Sequence, residues 1–288
     1  MKIMILGMGK VGSAVADRLR QDGHQVIGTT TRESRVAEVK KHCDEVAVLV
    51  GSDSDKIRAV GKGCDAILVT VAPDVAKAKN KEEREASYRA ALVDSCESAA
   101  TANKRVIFLS SFSVYGDGGK DLLPITERTP LGNVEEPSAK YYQMAEDAVL
   151  TQEKGCVLRL PDIYGAPNDL SFADRVRLGH KLMGGRVPFG PDAPLYGIHY
   201  LDVVAAAIHS INKALVGIFN VCDNGEVPMT NKAIFDKICE REDLPNLTFL
   251  DEIKAPNRRI SSDKLMETGF ALKHTEVNYP LKEALEPA

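Results

Sequence analysis

Lys2-Ile3-Met4-Ile5-Leu6-Gly7-Met8-Gly9-Lys10-Val11-Gly12 is the stretch that decides the fold. Its first half is a short continuous apolar run, the pattern of a strand buried on both faces of a parallel sheet. Its second half is a glycine turn that opens into residues 11–21, which are rich in helix formers. Strand, G-x-G-x-x-G and helix in that order is an arrangement that cradles a diphosphate. The first glycine allows a tight turn, the second lets the backbone approach the pyrophosphate, and the third lets helix and strand pack closely. The helix N-terminus then directs free N–H groups at the phosphates. Gly7, Met8, Gly9, Lys10, Val11 and Gly12 are therefore the first candidate cofactor-binding residues.

The same alternation continues along the chain. Short aliphatic or β-branched runs at 25–28, 45–50, 66–71, 105–109 and 156–160 read as strands. Between them, residues 33–42, 81–103 and 139–154 read as helices, and the charged run 77–84 as a solvated helix start. This order predicts an α/β fold with a doubly wound parallel Rossmann sheet. After Leu160 the pattern loosens, with Gly, Pro and Asp marking loops at 161–168 and 184–197. Helical stretches at 202–213 and 230–241, a strand at 217–221 and a short helix from Lys264 follow. The expected division is a dinucleotide-binding domain over 1–165 and a smaller C-terminal substrate lobe over 166–288, interleaved with it.

The end of the second strand bears on the choice of dinucleotide. NAD sites place Asp or Glu there to bind the adenosine 2′-hydroxyl. This chain has Thr29-Thr30-Thr31-Arg32, with Arg35 close by, and its nearest acid, Glu33, falls in a predicted helix. A carboxylate repels a 2′-phosphate, whereas a guanidinium offers it several N–H donors. Thr30, Thr31 and Arg32 are predicted to hold the ribose end, with NADP(H) preferred and NAD(H) second.

Leu109-Ser110-Ser111-Phe112-Ser113-Val114-Tyr115-Gly116 ends the predicted fifth strand. With the glycine turn, it resembles the extended short-chain dehydrogenase/reductase superfamily, whose epimerases and dehydratases carry S-S-x-x-V-Y-G there. Arg159-Leu160-Pro161-Asp162-Ile163-Tyr164-Gly165, Ile198-His199-Tyr200-Leu201-Asp202-Val203 and Arg259-Ile260-Ser261-Ser262-Asp263-Lys264-Leu265 carry the likeness through nearly the whole chain. The resemblance implies that Ser111 is the catalytic serine. It also implies that Val71, Ala72, Pro73, Ser110, Pro161 and Ile163 pass beside the cofactor. Members often dimerise through the helices that here span 81–103 and 139–154.

Two departures stand out. The turn is GxGxxG where extended members have GxxGxxG, and the catalytic YxxxK is missing. Aligning Ala145-Glu146 with the family's Ala-Glu puts Ser138 in the tyrosine position and Tyr142 in the lysine position, a combination similar to the atypical, YeeZ-like branch. Residues four apart share a helix face, so Ser138 and Tyr142 go together while Lys140 points away. With no cation beside it, a Tyr142 phenol keeps a pKa near the reference value of about 10. It is then a poor base but a serviceable proton donor, which favours carbonyl reduction over alcohol oxidation. Ser111 and Tyr142 are the candidate catalytic residues. Asp202 is expected to cap a helix, and His199 to be a buried structural imidazole.

Composition narrows the remaining classes. The 288 residues are 44% apolar and 27% charged, ordinary globular usage. A net charge of −4 and a pI near 5.9 give no overall field for nucleic acid. The six cysteines, at 43, 64, 96, 156, 222 and 239, form no C-x-x-C and are expected as core residues in a reducing compartment. The histidines have no metal-ligand spacing. The opening apolar run is too short for a secretory signal, and none approaches the ~18 residues of a membrane span. The expectation is a cytoplasmic monomer or homodimer that binds a small-molecule substrate, with neither nucleic acid nor membrane as partner. Arg175, Arg177, Lys181 and Arg186 in the lobe could meet an acidic group or face water.

Two functions stay open. One is an NADP(H)-dependent oxidoreductase or epimerase-type enzyme acting on a small polar carbonyl or sugar-like substrate. The other is a non-catalytic NADP(H)-binding sensor or scaffold that lacks YxxxK. The β-hydroxyacid dehydrogenases share the glycine turn, but their second domain is nearly all helical, and this second half is loop-rich.

Overall fold

In a computed structural model of the chain, residues 1–74, 78, 80–121, 123–132, 136–279 and 282 are described. Strand β1 (Lys2–Leu6) sends alternate side chains to opposite faces. Ile3 and Ile5 enter one core, and Met4 and Leu6 enter the other. Each of these side chains is almost wholly buried, which stabilises the fold by about 1.5–3 kcal/mol apiece. A strand apolar at every position needs cover on both sides, and that requirement builds the rest.

The sheet has seven parallel strands. To β1 are added β2 (Gln25–Thr30), β3 (Glu45–Val48), β4 (Ala66–Val69), β5 (Val106–Ser111) and β6 (Cys156–Leu160). Three short lobe strands follow, β7 (Asp162–Tyr164), β8 (Arg186–Phe189) and β9 (Gly197–His199), before β10 (Gly217–Asn220) returns to the sheet. The order across it is β10-β6-β5-β4-β1-β2-β3. Ile5 stands opposite Gly28 on β2 and Leu68 on β4. The order reverses between β1 and β4, and ligands bind beyond the carboxyl ends of strands at such a switch point.

Helix α1 (Lys10–Gln21) buries Gly12, Val15, Ala16 and Leu19, one stripe at helical spacing. It shares its sheet face with the later helix α8 (Tyr200–Lys213), which contributes Val203, Ala207 and Ile211 to the same core. After β2 comes a one-turn helix, α2 (Val36–Val39). The opposite face is covered by α3 (Ser54–Gly61), α4 (Lys81–Tyr88), α5 (Asp94–Ala102) and α6 (Pro137–Leu150).

The lobe adds α7 (Phe172–Met183), α9 (Asn231–Arg241), β11 (Thr248–Ile253) and α10 (Asp263–Met266). Strand β8 pairs with β11, and β7 with β9. Phe172, Val176, Val187, Phe235 and Leu247 form the lobe's own apolar cluster.

Several sequence expectations change here. The stretch 33–42, expected as a helix, is a 3₁₀ turn at Glu33–Arg35 followed by the four-residue α2. Val39 is the one buried side chain in it, too little apolar anchorage for a longer helix. The helix expected over 81–103 is divided by a π-helical turn at Arg89–Val93. Of the charged run 77–84, residues 77 and 79 lie outside the described ones, and Asn80 caps α4 by accepting from the Glu83 amide at 2.8 Å. His199, not Asp202, caps α8, its Nδ1 accepting from the Leu201 amide at 3.3 Å. Asp202 is instead buried in the first turn and accepts the amides of Lys273 and His274 at 3.0 and 2.9 Å. It ties the last described segment to the sheet domain, while His199 is half-buried and stacked 3.9 Å from His274. All six cysteines are buried and free. Among the described residues, no helix is long and apolar enough to cross a membrane.

Candidate functional site

The glycine turn is held by two threonines from neighbouring strands. Thr29 Oγ1 accepts from the Gly7 amide at 3.2 Å and donates to the Ile5 carbonyl at 3.0 Å. Thr70 Oγ1 donates to the Gly7 carbonyl at 2.5 Å. Gly7 has φ +104°, and a Cβ there would lie 2.8 Å from the Val71 amide nitrogen. At Gly12 a Cβ would lie 2.1 Å from the Gly7 carbonyl oxygen, so α1 can start this close to β1 only with hydrogen at that position. A Cβ on Gly9 would meet nothing within 4 Å, so the space its missing side chain leaves is open. Gly9 starts α1 with no side-chain cap and no acid in the first turn. The uncapped amides and the dipole of α1 thus favour an anion at this end.

These elements wall a cleft of about 680 Å³ along the carboxyl ends of the strands. Gly7, Met8, Gly9, Lys10, Val11, Gly12, Thr30, Thr31, Val71, Ala72, Ser110, Ser111, Tyr142, Pro161 and Ile163 all line it. Arg32 and Pro73 do not. Arg32 is exposed and begins the 3₁₀ turn, which carries Arg35 to the wall in its place. The Arg35 guanidinium donates to the Met8 carbonyl at 3.3 Å and pairs with Glu38 at 2.9 Å. Its hydrogen bond to Glu38 holds it more firmly protonated than usual, against an opposing effect of burial. Asp162 and Asp169 are the acids on the wall. Asp169 forms a close ion pair with Lys10, joining the turn to the lobe.

A buried polar network underlies the floor. Ser110 donates to Glu146 Oε1 at 2.5 Å, and Arg159 donates to both Glu146 oxygens, the shortest contact being 2.6 Å. Arg159 also donates to the Tyr115 hydroxyl at 2.9 Å, which in turn donates to Asn220 Oδ1 at 2.6 Å. Burial opposes the charge on Arg159, but its bonds to Glu146 and attraction by that carboxylate outweigh it and raise its pKa. Burial likewise pushes the Tyr115 phenol up to about 12. Tyr115, Glu146 and Arg159 brace β5, α6 and β6. Ser110 lines the cleft, but its hydroxyl is committed to Glu146.

Ser111 ends β5, and its Oγ accepts from the Ser113 amide at 3.1 Å. Across the sheet it stands opposite Leu160, two residues before Asp162. Tyr142 reaches the cleft from α6, with ring centroids 6.1 Å from Phe108 and 6.5 Å from Tyr88. Burial pushes its phenol further above the ordinary value, with Tyr88 adding to the effect, so it stays neutral. Ser138 does not line the cleft and is bonded to Glu136 at the start of α6. Lys140 lies 5.0 Å over the Tyr141 ring, also off the cleft.

A second cavity, of about 320 Å³, opens in the lobe and shares Ser111, Leu160, Pro161 and Asp162 with the cleft. Asp162 leaves 59% of its side-chain surface open. The protein around it lifts its carboxyl above the usual range, and Arg175, 4.0 Å away, opposes that lift.

The model of the NAD-dependent epimerase/dehydratase family matches residues 3–222. The chain belongs to that family. Three solved structures illustrate the likeness in fold. WbmG of Bordetella bronchiseptica, in complex with NAD, has a TM-score of 0.73 at 18% identity, covering 98% of this chain and 92% of that one. The dTDP-glucose 4,6-dehydratase of Bacillus anthracis, in complex with NAD, has 0.71 at 18%, covering 99% and 95%. A functionally unknown conserved protein from Silicibacter pomeroyi has 0.66 at 23%, covering 98% and 96%. No curated protein of similar sequence was found.

Sequence reasoning had not placed Thr29, Thr70, Asp162 and Asp169 in the site, and had named Arg35 only as a neighbour of Arg32. Asp162 lies inside the segment Arg159–Gly165, between Pro161 and Ile163. The threonines had no signal beyond standing at strand ends.

Proposed function

We propose that the protein is an NADP(H)-dependent oxidoreductase of the epimerase/dehydratase family that interconverts a carbonyl and an alcohol. One observation carries this reading: the cleft beside the glycine turn and the lobe cavity meet at Ser111, Leu160, Pro161 and Asp162. A nicotinamide dinucleotide, when bound, would supply the hydride chemistry that a carbonyl–alcohol interconversion needs.

The uncapped amides of α1 hold the pyrophosphate. Thr30, Thr31 and Arg35 receive the adenosine ribose, Arg35 providing N–H donors for a 2′-phosphate. No carboxylate lines the β2 side of the cleft among the described residues, which supports NADP(H) over NAD(H). The Ser111 hydroxyl, whose oxygen already accepts the Ser113 amide, donates its hydrogen to the substrate oxygen. Asp162 is the one ionisable side chain on both walls among the described residues and exchanges the proton with the substrate. Tyr142, a neutral phenol on the cleft side alone, donates a hydrogen bond toward the cofactor ribose or the reacting oxygen.

A second reading, a dinucleotide sensor without turnover, is favoured by the Ser138–Glu136 bond and the position of Lys140, which among the described residues leave no Tyr–Lys pair from α6 in the cleft. Fluorescence titration with NADPH and NADH tests the first requirement, and silence toward both refutes either reading. Arg35→Ala should reduce the NADPH-over-NADH preference at least ~10-fold, the scale of a charge-assisted bond, while Arg32→Ala changes it less. An unchanged preference in Arg35→Ala excludes that contact. NADPH binding without oxidation across a carbonyl panel selects the sensor.

A further inference from the structure

Four wall residues of the lobe cavity are common to the nucleotide cleft, so whatever reacts there must occupy the lobe cavity. Beyond the junction the wall is mostly apolar: Val187, Phe189, Leu195, Phe235, Leu247 and Ile253 face the space. Tyr196 adds ring surface, because its hydroxyl is turned away to donate to the Arg258 carbonyl at 2.7 Å. A volume of about 320 Å³ sits at the lower end of the ~300–1,000 Å³ usual for small-molecule sites.

The charges on this wall are already matched. Arg175 lies 4.0 Å from Asp162 and 4.6 Å over the Phe172 ring. Lys254 pairs with Asp251 at 2.5 Å. A diphosphate would bring two negative charges beside Asp162, and among the described residues both cations on this wall, Arg175 and Lys254, already face a carboxylate; unpaired charge in an apolar enclosure is costly. Away from the reacting end the wall carries Lys254 and Asn231, whose side-chain amide already donates to the Gly190 carbonyl at 3.0 Å. Ser111 is at the reacting end, and in the same turn the Ser113 hydroxyl is buried on the cavity wall with no partner among the described residues.

We propose that the lobe cavity takes a small carbonyl or alcohol with an aromatic or otherwise apolar body and at most one negative charge, and that it excludes nucleoside diphosphate sugars. The proposal rests on the dinucleotide reading above. The substrate's oxygen meets Ser111 and Asp162, its body lies against Val187, Phe189 and Phe235, and a single carboxylate, where present, is met by Arg175 in exchange for Asp162.

The test uses the full chain with NADPH bound, para-nitrobenzaldehyde as the aromatic probe, and UDP-galactose and dTDP-glucose as nucleotide-sugar probes. The expected result is oxidation of NADPH by the aldehyde and calorimetric binding of para-nitrobenzyl alcohol to the NADP⁺-loaded protein, with no heat from either nucleotide sugar. Val187→Asp should lower kcat/KM for the aldehyde at least tenfold while NADPH affinity stays unchanged. Should that variant fail to fold, Phe189→Ala, at a half-buried position, should raise KM for the aldehyde several-fold. Binding of a nucleotide sugar, or silence of the NADPH-bound protein toward both aromatic probes, overturns the proposal and leaves the dinucleotide reading standing. Failure to bind NADPH at all overturns the dinucleotide reading itself.

Discussion

Replacing Glu146 by Gln removes one charge from a pair whose side chains are each 2% exposed. The amide can still accept from Ser110 or Arg159, but the guanidinium keeps its charge and loses its counter-ion. Three Arg159–Glu146 contacts between 2.6 and 3.2 Å are weakened together. Breaking a buried pair from one side costs about 3–5 kcal/mol. For a chain of this length, that lowers Tm by roughly 6–15 °C. Thermal melting followed by circular dichroism reads it directly. The double variant Glu146→Gln, Arg159→Met removes the orphaned charge as well, and should recover much of the loss because an apolar replacement of a buried pair is often close to neutral. A single variant melting within about 2 °C of the parent would refute the assignment of the network as a brace. So would a double variant whose two losses simply add.

Gly12→Ala places a methyl group 2.1 Å from the Gly7 carbonyl oxygen, so the turn must open and NADPH affinity should fall at least ~10-fold, about 1.4 kcal/mol; parental affinity in a fluorescence titration would contradict this. Burial pushes the Cys156 and Cys222 thiols up to about 12, whereas unfolded thiols titrate near ~8.5. Their contribution is therefore complete below that lower value and is lost as pH rises toward the folded one, by about 1.4 kcal/mol per pH unit for each thiol. The urea midpoint should fall between neutrality and about pH 10, less steeply in Cys156→Ala, and an equal slope in both proteins would argue against it.

Much of the site was legible because its chemistry is local. The strand–turn–helix at Lys2–Gly12 needs only neighbouring residues to dictate it. The Ser110–Gly116 and Arg159–Gly165 segments carried the family likeness in plain order. The two-residue alternation that hides Ile3 and Ile5 on one face and Met4 and Leu6 on the other is likewise a property of the chain itself. Less was legible where a side chain's role depends on where a turn ends. Arg32 was the natural choice for the ribose phosphate by position, yet the 3₁₀ turn it begins rotates Arg35, three residues on, to the cleft. Asp202 carried the usual helix-capping chemistry, but a histidine three residues earlier took the cap and released it to hold residues 273 and 274.

By itself, then, the sequence determined the parallel sheet, the glycine turn and the family, since periodicity and glycine conformation act over a few residues. Only the tertiary structure decided that Ser110, Glu146, Arg159, Tyr115 and Asn220 form one network, and that Asp162 joins Ser111 on the wall between two cavities. Those groups come from strands and helices up to 110 residues apart, and no local pattern records which ends of a sheet will meet. Their juxtaposition follows from strand order, which is set by burying both faces of the sheet at once.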